Sequence, residues 1–328
     1  MNIAIDITPL KTEHGRRGVG VYTNNLIKSL GQYEKKHSYS FFTRGQKIPK
    51  NADIVHYPYF DPFFLTLPII KAKPTVVTVH DVIPLVFPAK FPAGLRGNLK
   101  WQIQKLSLLG IRRVITDSES SKKDISKITG FDANRIDVVY LAPDPIFKPL
   151  RREKRTNPYV LYVGDVNWNK NVPGLLRAFV RVSNYGLKLV GGAFTDVGLR
   201  ETKEINGLIR ALDLEQKVTK VGYVTNEDLV GLYNGAAVLV QPSFYEGFGL
   251  PVLEAMACGC PVVSTDNSSL SEIAGPAVRV TTDPMSVADG IQTAIKERHI
   301  LVRKGFEWVQ KFTWKKVAAE TVQTYEKA

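Results

Sequence analysis

Residues 241–263 read QPSFYEGFGLPVLEAMACGCPVV, a stretch with a strand end, a glycine turn, a helix and a second strand. Gln241 closes an apolar run, and Leu250–Ala257 has helical composition with Pro251 in its first turn, where the missing N–H costs nothing. Because glycine lacks a Cβ, backbone N–H groups of Gly247-Phe248-Gly249 can approach an anion closely. A helix N-terminus also favours negative charge. The stretch predicts an α/β fold with a phosphate site at the helix start.

Two carboxylates flank this turn. Glu254, placed in the first turn of the helix, could reach a pair of ribose hydroxyls beside the phosphates, and Glu246 could accept hydrogen bonds from a sugar. The alternative interpretation is an ordinary glycine turn with two capping charges. From the residues alone, both interpretations stay open.

Outward from this stretch, apolar strands alternate with amphipathic helices along the chain, which predicts parallel sheets covered on both faces. Two such series, together with a length of 328 residues, predict two doubly wound Rossmann-like domains. Residues 142–158 contain four prolines and the basic run Arg151–Arg155, and they are interpreted as a linker. We therefore predict one domain over 1–150, a second domain over 151–312, and a final helix over 313–328 near the domain junction. The predicted strands are Asn2–Ile7, Tyr39–Thr43, Ile54–Tyr57, Thr75–Val79, Val114–Asp117, Asp137–Tyr140, Tyr159–Val163, Leu187–Gly191, Val218–Gly222, Ala237–Gln241, Val262–Ser264 and Val278–Val280.

Charged residues are distributed unevenly along the chain. Lys and Arg number 44 against 31 Asp and Glu, a net charge of +13, of which residues 1–150 carry +10 (22 basic against 12 acidic). A basic half favours an anionic partner such as nucleic acid or lipid, whereas the alternative is a solubility effect. Cys258 and Cys260 are the only cysteines, which excludes a disulfide framework and a paired Cys-x-x-Cys zinc site. No signal peptide or spanning segment is recognised, so we expect a cytoplasmic protein, with peripheral attachment to the inner face of the membrane left open.

The order and spacing of five blocks resemble the retaining GT-B glycosyltransferases of family 4. They are IAIDITPL…GVGVYTNNL, VVTVHDVIP, ITDSESSKKDI, YVLYVGDVNWNKNVPGLLRAF and SFYEGFGLPVLEAMACGCPVV. The resemblance implies two Rossmann-like domains that face each other across a crevice, with the acceptor bound by the domain over 1–150 and the nucleotide sugar by the domain over 151–312. It also implies sugar transfer from a nucleotide diphosphate donor to an acceptor hydroxyl with retained anomeric configuration, and no metal or other cofactor.

The resemblance assigns roles to individual residues. Lys170 neutralises the diphosphate, Glu246 contacts the donor sugar, Glu254 holds the ribose, and His80 contacts the donor sugar and the reaction centre. Asp81 and Ser118 fall on the acceptor side. The remaining donor-binding positions are Gly18, Gly20, Gly164, Tyr223, Val224, Gly247, Phe248, Gly249 and Leu250.

This sequence departs from the family beside Lys170. Many members carry an Arg just after the strand glycine or next to the lysine, where this chain has Asp165 and Asn169. Stabilisation of the leaving group then rests on Lys170 and backbone amides, or is helped by Arg16 or Arg17.

Some candidates have plain structural alternatives. Lys170 could be a solvated loop lysine, His80 a core or capping histidine, and Ser118 a helix cap. His80 directly follows a predicted strand, a position that favours function in a parallel sheet. There is no Asp-x-Asp, no phosphate-loop motif and no metal-binding spacing among the five histidines, so we predict no metal and no nucleic-acid partner.

The segment Leu95–Leu106 forms an amphipathic helix in which leucines share one face, and residues 60–67 form an apolar loop nearby. One interpretation is contact with an anionic membrane surface. The other is ordinary packing against the N-terminal sheet.

These observations lead to one prediction with alternatives. We expect a retaining, metal-independent glycosyltransferase that moves a hexose to a glycan or lipid-linked acceptor by front-face displacement. GDP-mannose is the favoured donor, because the HDVIP and GDVNWNKN blocks most resemble mannosyl- and rhamnosyl-type members. UDP-glucose, UDP-N-acetylglucosamine and dTDP-rhamnose stay open. The alternatives are a nucleotide-sugar epimerase on the same fold and a non-catalytic protein that binds nucleic acid or membrane.

Overall fold

The computed structural model describes residues 1–12, 18–150 and 157–328. The chain forms two compact units, the first comprising residues 1–142 and 312–328 and the second residues 143–311. Each unit has one sheet of six strands. The predicted α/β class with two Rossmann-like units is confirmed.

The sheet of the first unit has the strand order β2-β1-β3-β4-β5-β6, and every neighbouring pair is parallel. The central strands β3 and β4 are buried along their whole length, because helices cover both faces of a doubly wound sheet. The strands are β1 (Asn2–Asp6), β2 (Ser38–Phe42), β3 (Ile54–Tyr57), β4 (Thr75–Thr78), β5 (Arg113–Thr116) and β6 (Ile136–Val138).

Helices surround this sheet, and the last one comes from the end of the chain. They are α1 (Gly18–Tyr33), α2 (Ile83–Val86), α3 (Gly94–Ser107), α4 (Glu119–Thr129) and α12 (Trp314–Glu326). Helix α12 packs against α1 within the first unit. Its buried residues recur at helical spacing, with Val317, Val322 and Tyr325 facing inward.

The second unit repeats the pattern, with the strand order β12-β11-β10-β7-β8-β9 and parallel pairing throughout. Its strands are β7 (Tyr159–Val163), β8 (Gly186–Val190), β9 (Val218–Gly222), β10 (Val238–Gln241), β11 (Val262–Thr265) and β12 (Val278–Val280). Its helices are α5 (Val172–Phe179), α6 (Arg200–Ala211), α7 (Asn226–Gly235), α8 (Leu250–Ala257), α9 (Leu270–Ile273), α10 (Pro284–Lys296) and α11 (Arg298–Val309). Apolar side chains of β7, β8, β10 and α5 form the centre of its core.

The unit boundary differs from the predicted one. Residues 143–150, predicted to belong to the first domain, are part of the second unit. The reason lies in α7: the ring of Phe147 packs against Tyr233, and the Asn234 side chain bonds the carbonyl of Lys148 and the N–H of Leu150. The basic run 151–155 lies outside the described residues.

Every predicted strand is present, with ends within one or two residues of the prediction. Helix α5 begins at Val172, where Asn171 caps it by accepting a hydrogen bond from the N–H of Gly174. No helix among the residues that the structure describes is long and apolar enough to cross a bilayer.

Candidate active site

In the second unit, two loops at the carboxyl ends of β7 and β10 are tied together by backbone and amide contacts. Asn169 lies in a 3₁₀ turn after β7; its carbonyl accepts a hydrogen bond from the N–H of Phe244, and its side-chain amide donates to the carbonyl of Tyr245. Asn171 donates to the carbonyl of Pro242, and the ring of Trp168 stacks on Phe244. The turn that carries Lys170 is therefore fixed against the loop that carries Glu246.

The side chains of Lys170 and Glu246 form an ion pair, with 2.7 Å between Nζ and Oε2. The second carboxylate oxygen accepts hydrogen bonds from Gln241 Nε2 at 2.8 Å and Ser243 Oγ at 2.7 Å. Glu246 is buried and Lys170 is half-buried. Two of the three predicted catalytic residues therefore lie together in a fixed arrangement.

The glycine turn that follows begins α8. Gly249 is the N-cap of this helix at φ +105°, in the left-handed region, and a Cβ on it would lie 2.7 Å from Leu270 Cδ2. The hydroxyl of Ser269 lies 2.9 Å from the carbonyl oxygens of both Glu246 and Phe248, which fixes the turn on either side of Gly247. Pro251 has no N–H and the N–H of Val252 donates to the carbonyl of Gly249, so the first backbone donor of α8 is the N–H of Leu250. The turn lies where the sequence predicts a phosphate site, and its role toward a phosphate stays a prediction.

Glu254 is the fifth residue of α8 and lies in its second turn instead of the predicted first turn, because a turn is complete after about 3.6 residues. Its carboxylate is buried and accepts a hydrogen bond of 2.8 Å from the hydroxyl of Tyr233 on α7. Burial raises the pKa of Glu254 to about 7, although the Tyr233 hydrogen bond acts in the opposite direction. A carboxylate held in this way can accept hydrogen bonds from hydroxyl groups.

Three glycines mark the carboxyl ends of β7, β8 and β9. The N–H of Gly191 donates to the carbonyl of Gly222, and a Cβ on Gly191 would overlap the carbonyl of Gly164. Glycine is thus required where these three strand ends approach each other. The predicted base-framing residues follow directly, with Tyr223 exposed and Val224 half-buried.

The positions that depart from the family have structural roles. Asn169 holds the loop of Tyr245 as described above, while the Asp165 carboxylate accepts a hydrogen bond from the N–H of Val166. The backbone carbonyl of Asp165 accepts a hydrogen bond from Tyr162. Arg16 and Arg17, which the sequence offered as extra cations, lie outside the described residues.

In the first unit, His80 follows β4 and is paired with Asp117, which follows the neighbouring strand β5. The distance from His80 Nδ1 to Asp117 Oδ2 is 2.7 Å, and the ring of Tyr22 meets the imidazole edge-on at 4.7 Å. Burial lowers the pKa of His80, but the Asp117 charge and its hydrogen bond outweigh burial, with Asp81 and the Pro58 carbonyl adding to their effect, so the pKa is raised overall. The carboxylate therefore favours a proton on Nδ1 and fixes the orientation of the ring.

The other predicted residues of this unit support the backbone. Asp81 accepts a hydrogen bond from the N–H of Ile83 at the start of α2. Ser118 is the N-cap of α4, so its capping interpretation is confirmed. Gly18 and Gly20 lie in the first turn of α1. Their roles toward a substrate stay predictions.

Within the described ranges, no three His, Cys, Asp or Glu side chains lie close enough together to hold a metal ion. Cys258 and Cys260 are buried free thiols, and burial raises the pKa of Cys258 to about 12.

Comparison with known proteins agrees with this geometry. Residues 146–307 match the model of glycosyl transferases group 1, and residues 16–145 match that of Glycosyltransferase Family 4. The O-antigen chain mannosyltransferase B of Escherichia coli is 32% identical over 302 residues, which cover 84% of this chain and 75% of that protein. The chain belongs to glycosyltransferase family 4.

Two further proteins resemble this glycosyltransferase. The O-antigen chain mannosyltransferase RfbU of Salmonella typhimurium is 30% identical over 63% of this chain and 56% of its own length. The Anabaena protein Alr3699/HepE, solved in complex with UDP-glucose, superposes with a TM-score of 0.76 at 18% identity and full coverage of both chains. The structural likeness supports the GT-B fold, and none of these relatives supports the epimerase alternative.

Sequence reasoning missed the partners that hold the site residues. No local sequence motif indicated the contacts made by Tyr233, Ser269 and Asn171. Asp117 had a signal: strand pairing places Thr78 opposite Ile115, so the residues two positions further on, His80 and Asp117, lie at the same level of the sheet.

Proposed function

We propose that this glycosyltransferase moves mannose from GDP-mannose to a hydroxyl of a glycan or lipid-linked acceptor, with retention of configuration and without a metal ion. The observation that carries the proposal is the ion pair between Lys170 and Glu246, which is fixed beside the N-terminus of α8. The pair combines a cation for a diphosphate with a carboxylate for a sugar. The helix start adds N–H donors for the same anion.

The charges account for the departure of the nucleotide. As the bond to the sugar breaks, negative charge grows on the diphosphate, and a cation that is already in place stabilises it without reorganisation. Lys170 supplies this charge together with the backbone N–H groups of Gly249 and Leu250, so the proposed mechanism uses no bound metal. The Gln241 and Ser243 hydrogen bonds keep Glu246 in place while Lys170 engages the donor.

The remaining site residues are proposed to bind the donor and to orient its sugar. Glu254 is proposed to hold the ribose hydroxyls, and Tyr223 with Val224 to frame the base. Glu246 positions the sugar and forms no covalent bond to it, since in front-face displacement the acceptor attacks the face from which the diphosphate leaves. His80, with its orientation set by Asp117, is proposed to contact the substrate at the reacting carbon.

Mannose is favoured by the relatives. The Escherichia coli and Salmonella proteins are named O-antigen chain mannosyltransferases, which also favours polysaccharide synthesis. UDP-glucose is the competing donor, because it is the ligand of the Anabaena structure.

The test is a thermal shift panel with GDP, UDP, dTDP and ADP, each with Mg²⁺ or with EDTA. A ligand at a hundredfold excess over its Kd stabilises the native state by about 2.7 kcal/mol. We expect GDP to give the largest shift, equal in EDTA. Lys170→Met should reduce the GDP shift to that of guanosine, while Lys203→Met on the exposed surface of α6 should leave it unchanged.

Different results of the thermal shift panel test the donor base, the metal independence and the donor site separately. A larger UDP shift overturns the choice of donor base, and a shift that requires Mg²⁺ overturns metal independence. Equal, negligible shifts for all four nucleotides overturn the donor site itself. The anomeric configuration of a product formed from GDP-mannose, read by NMR, decides between retention and inversion.

A further inference from the structure

The surface of α3 and of the loop before β4 exposes an unusual number of large apolar side chains. Leu95, Leu99 and Leu106 on α3 are exposed, as is Leu109 just beyond it, and the loop residues Phe64, Leu65, Ile69 and Ile70 are exposed as well. We call these eight residues the α3 patch. Leu95 is 91% exposed and Ile70 86%, values that no core-facing side chain would have. Contiguous apolar surface of this kind marks an interaction site on a folded protein.

The orientation of α3 is reversed relative to an ordinary surface helix. With 3.6 residues per turn, Leu95, Leu99 and Leu106 fall within an arc of about 40° on one face. The residues that α3 buries are Gly97, Gln104 and Ser107, which lie toward the opposite face. The helix therefore turns these small and polar residues, together with the partly buried Trp101, toward the protein and its leucines toward solvent. The packing alternative raised from the sequence does not hold for these leucines.

Specific hydrogen bonds enforce this orientation. The Gln104 amide donates to Thr66 Oγ1 at 2.7 Å and to the carbonyl of Asp61 at 3.0 Å. The ammonium of Lys71 donates to the carbonyl of Ser107 at 2.6 Å, which ties the loop to the end of the helix. Because these buried polar groups would lose their partners if α3 rotated, the leucine face is held outward.

The loop and the helix form one surface. The ammonium of Lys100 lies 5.1 Å from the centre of the Phe64 ring, and a Cβ on Gly97 would lie 3.7 Å from Phe63. Ile103 of α3 lines the same cavity of about 450 Å³ as Leu65, Leu67 and Ile70. The apolar side chains of the two segments are thus neighbours.

The charge around the α3 patch is mainly positive, although Asp132 lies beside Leu106 and Leu109. Residues 62–116 contain eight Lys or Arg and one acidic residue, Asp81. On α3 itself, Lys105 lies to one side of the leucines, and Arg96 and Lys100 lie to the other. A second copy of the same patch would bring like charges together, which disfavours self-association.

We propose that the α3 patch docks on an anionic lipid bilayer, with the leucines of α3 and the 64–70 loop at the boundary between headgroups and acyl chains. Apolar side chains flanked by cations, on a helix that lies flat on the protein, are the arrangement of interfacial helices. The cations contribute through the negative surface potential of the membrane. This proposal concerns attachment and does not rest on the donor or the acceptor that the enzyme uses.

The experiment is flotation of the whole chain with vesicles of phosphatidylcholine alone or mixed with phosphatidylglycerol. We expect binding to the anionic vesicles only, weakened at 0.5 M salt. The change of Arg96, Lys100 and Lys105 together to Gln should lower the partition coefficient about a hundredfold, which corresponds to about 1 kcal/mol for each cation. The change of Leu95, Leu99 and Leu106 together to Ser should lower it at least tenfold.

Matched controls lie on the exposed surface of the second unit. They change Lys203, Arg303 and Lys304 together to Gln, or Val180, Val197 and Leu199 together to Ser. Both should bind vesicles as the wild type does. Equal thermal melting of all variants shows that the leucine and lysine changes leave the fold intact, as their exposure predicts.

Three results would overturn the proposal. One is the absence of wild-type binding to anionic vesicles. Another is leucine or cation variants that bind as well as the wild type. The third is a wild-type dimer in solution that the leucine changes dissolve, without any vesicle binding, which would assign the α3 patch to a second copy.

Discussion

At the scale of single residues, the role proposed for the ion pair of Lys170 and Glu246 explains why a costly buried pair is kept at this position. A buried ion pair loses hydration that the attraction between the charges only partly returns. The hydrogen bonds from Gln241 and Ser243 satisfy the remaining carboxylate oxygen. An apolar pair could fill the same space, but it would supply neither a cation nor an acceptor to a donor substrate.

Glu254 gives a prediction at the same scale. Its pKa of about 7 lies above its ordinary 4.5, so the folded state holds a proton between these values that the unfolded state does not. Stability from this group is present below pH 4.5 and is lost as the pH rises through about 7. Glu254→Gln should therefore stabilise the ligand-free protein at pH 8 by up to about 3 kcal/mol and weaken nucleotide binding at least tenfold. Urea unfolding and nucleotide titration measure the two effects.

The control for this variant is Glu320→Gln. Burial raises the pKa of Glu320 as well, although its partner Lys316 lowers it, and Glu320 lies on α12 of the first unit. This change should leave nucleotide binding unaffected. A Glu254→Gln protein that binds GDP like the wild type would contradict the assigned role of Glu254.

At the scale of elements, the entry to α8 determines where the N–H donors of the candidate phosphate site point. Gly249 adopts φ +105° there, a conformation that side chains with a Cβ rarely adopt. The Cβ of an alanine would also press on Leu270. We expect Gly249→Ala to cost about 1–3 kcal/mol of stability and to weaken diphosphate binding.

Gly231, in the middle of α7, is the matched control, because a Cβ there meets nothing within 4 Å. Gly231→Ala should be neutral or stabilise the protein by up to about 1 kcal/mol. Thermal unfolding of the two variants side by side measures the difference. Equal melting temperatures would show that the Gly249 turn is not strained.

The positions of the strands and helices were largely predictable, because each one follows from the pattern of apolar residues and turn residues in its own segment of sequence. The twelve strands followed from apolar runs and α8 from the proline after its N-cap. The cap of α5 was not predictable, because Asn171 adopts a left-handed conformation there and its side chain donates to the distant carbonyl of Pro242.

At the scale of the whole molecule, the chain returns to its first unit through α12. Tyr325 on this helix lies 2.7 Å from Nδ1 of His56, and Nε2 of His56 lies 2.9 Å from Thr78 Oγ1. Thr78 in turn bonds the hydroxyl of Tyr22 on α1. This buried hydrogen-bonded network joins the C-terminal helix α12 to the sheet formed by the first part of the chain.

The same network predicts acid sensitivity. Burial lowers the pKa of His56 from its ordinary 6.5 to about 3, and the nearby His80 adds to this effect. As the pH falls, His56 is therefore protonated near pH 6.5 in the unfolded state but only near pH 3 in the folded state. Stability from His56 is present above pH 6.5 and is lost as the pH falls below it, by up to about 1.4 kcal/mol per pH unit.

The measurement compares the wild type with His56→Gln by urea unfolding at pH 6.5 and pH 5. The variant should be less stable at pH 6.5, because the hydrogen bonds of His56 are lost, yet it should change less between the two pH values. Parallel changes in both proteins would assign the acid sensitivity to other groups.

The sequence by itself determined the α/β class, the twelve strands, the glycine turn before α8 and the family. These follow from local periodicity and turn chemistry, which neighbouring residues dictate. Only the tertiary structure decided the pairs Lys170–Glu246, His80–Asp117, Glu254–Tyr233 and His56–Tyr325, and the outward leucine face of α3. The partners in each pair lie 21 to 269 positions apart, so their meeting depends on strand order and helix packing. The direction of α3 likewise depends on Gln104 finding Thr66 across a loop, a contact that no local pattern encodes.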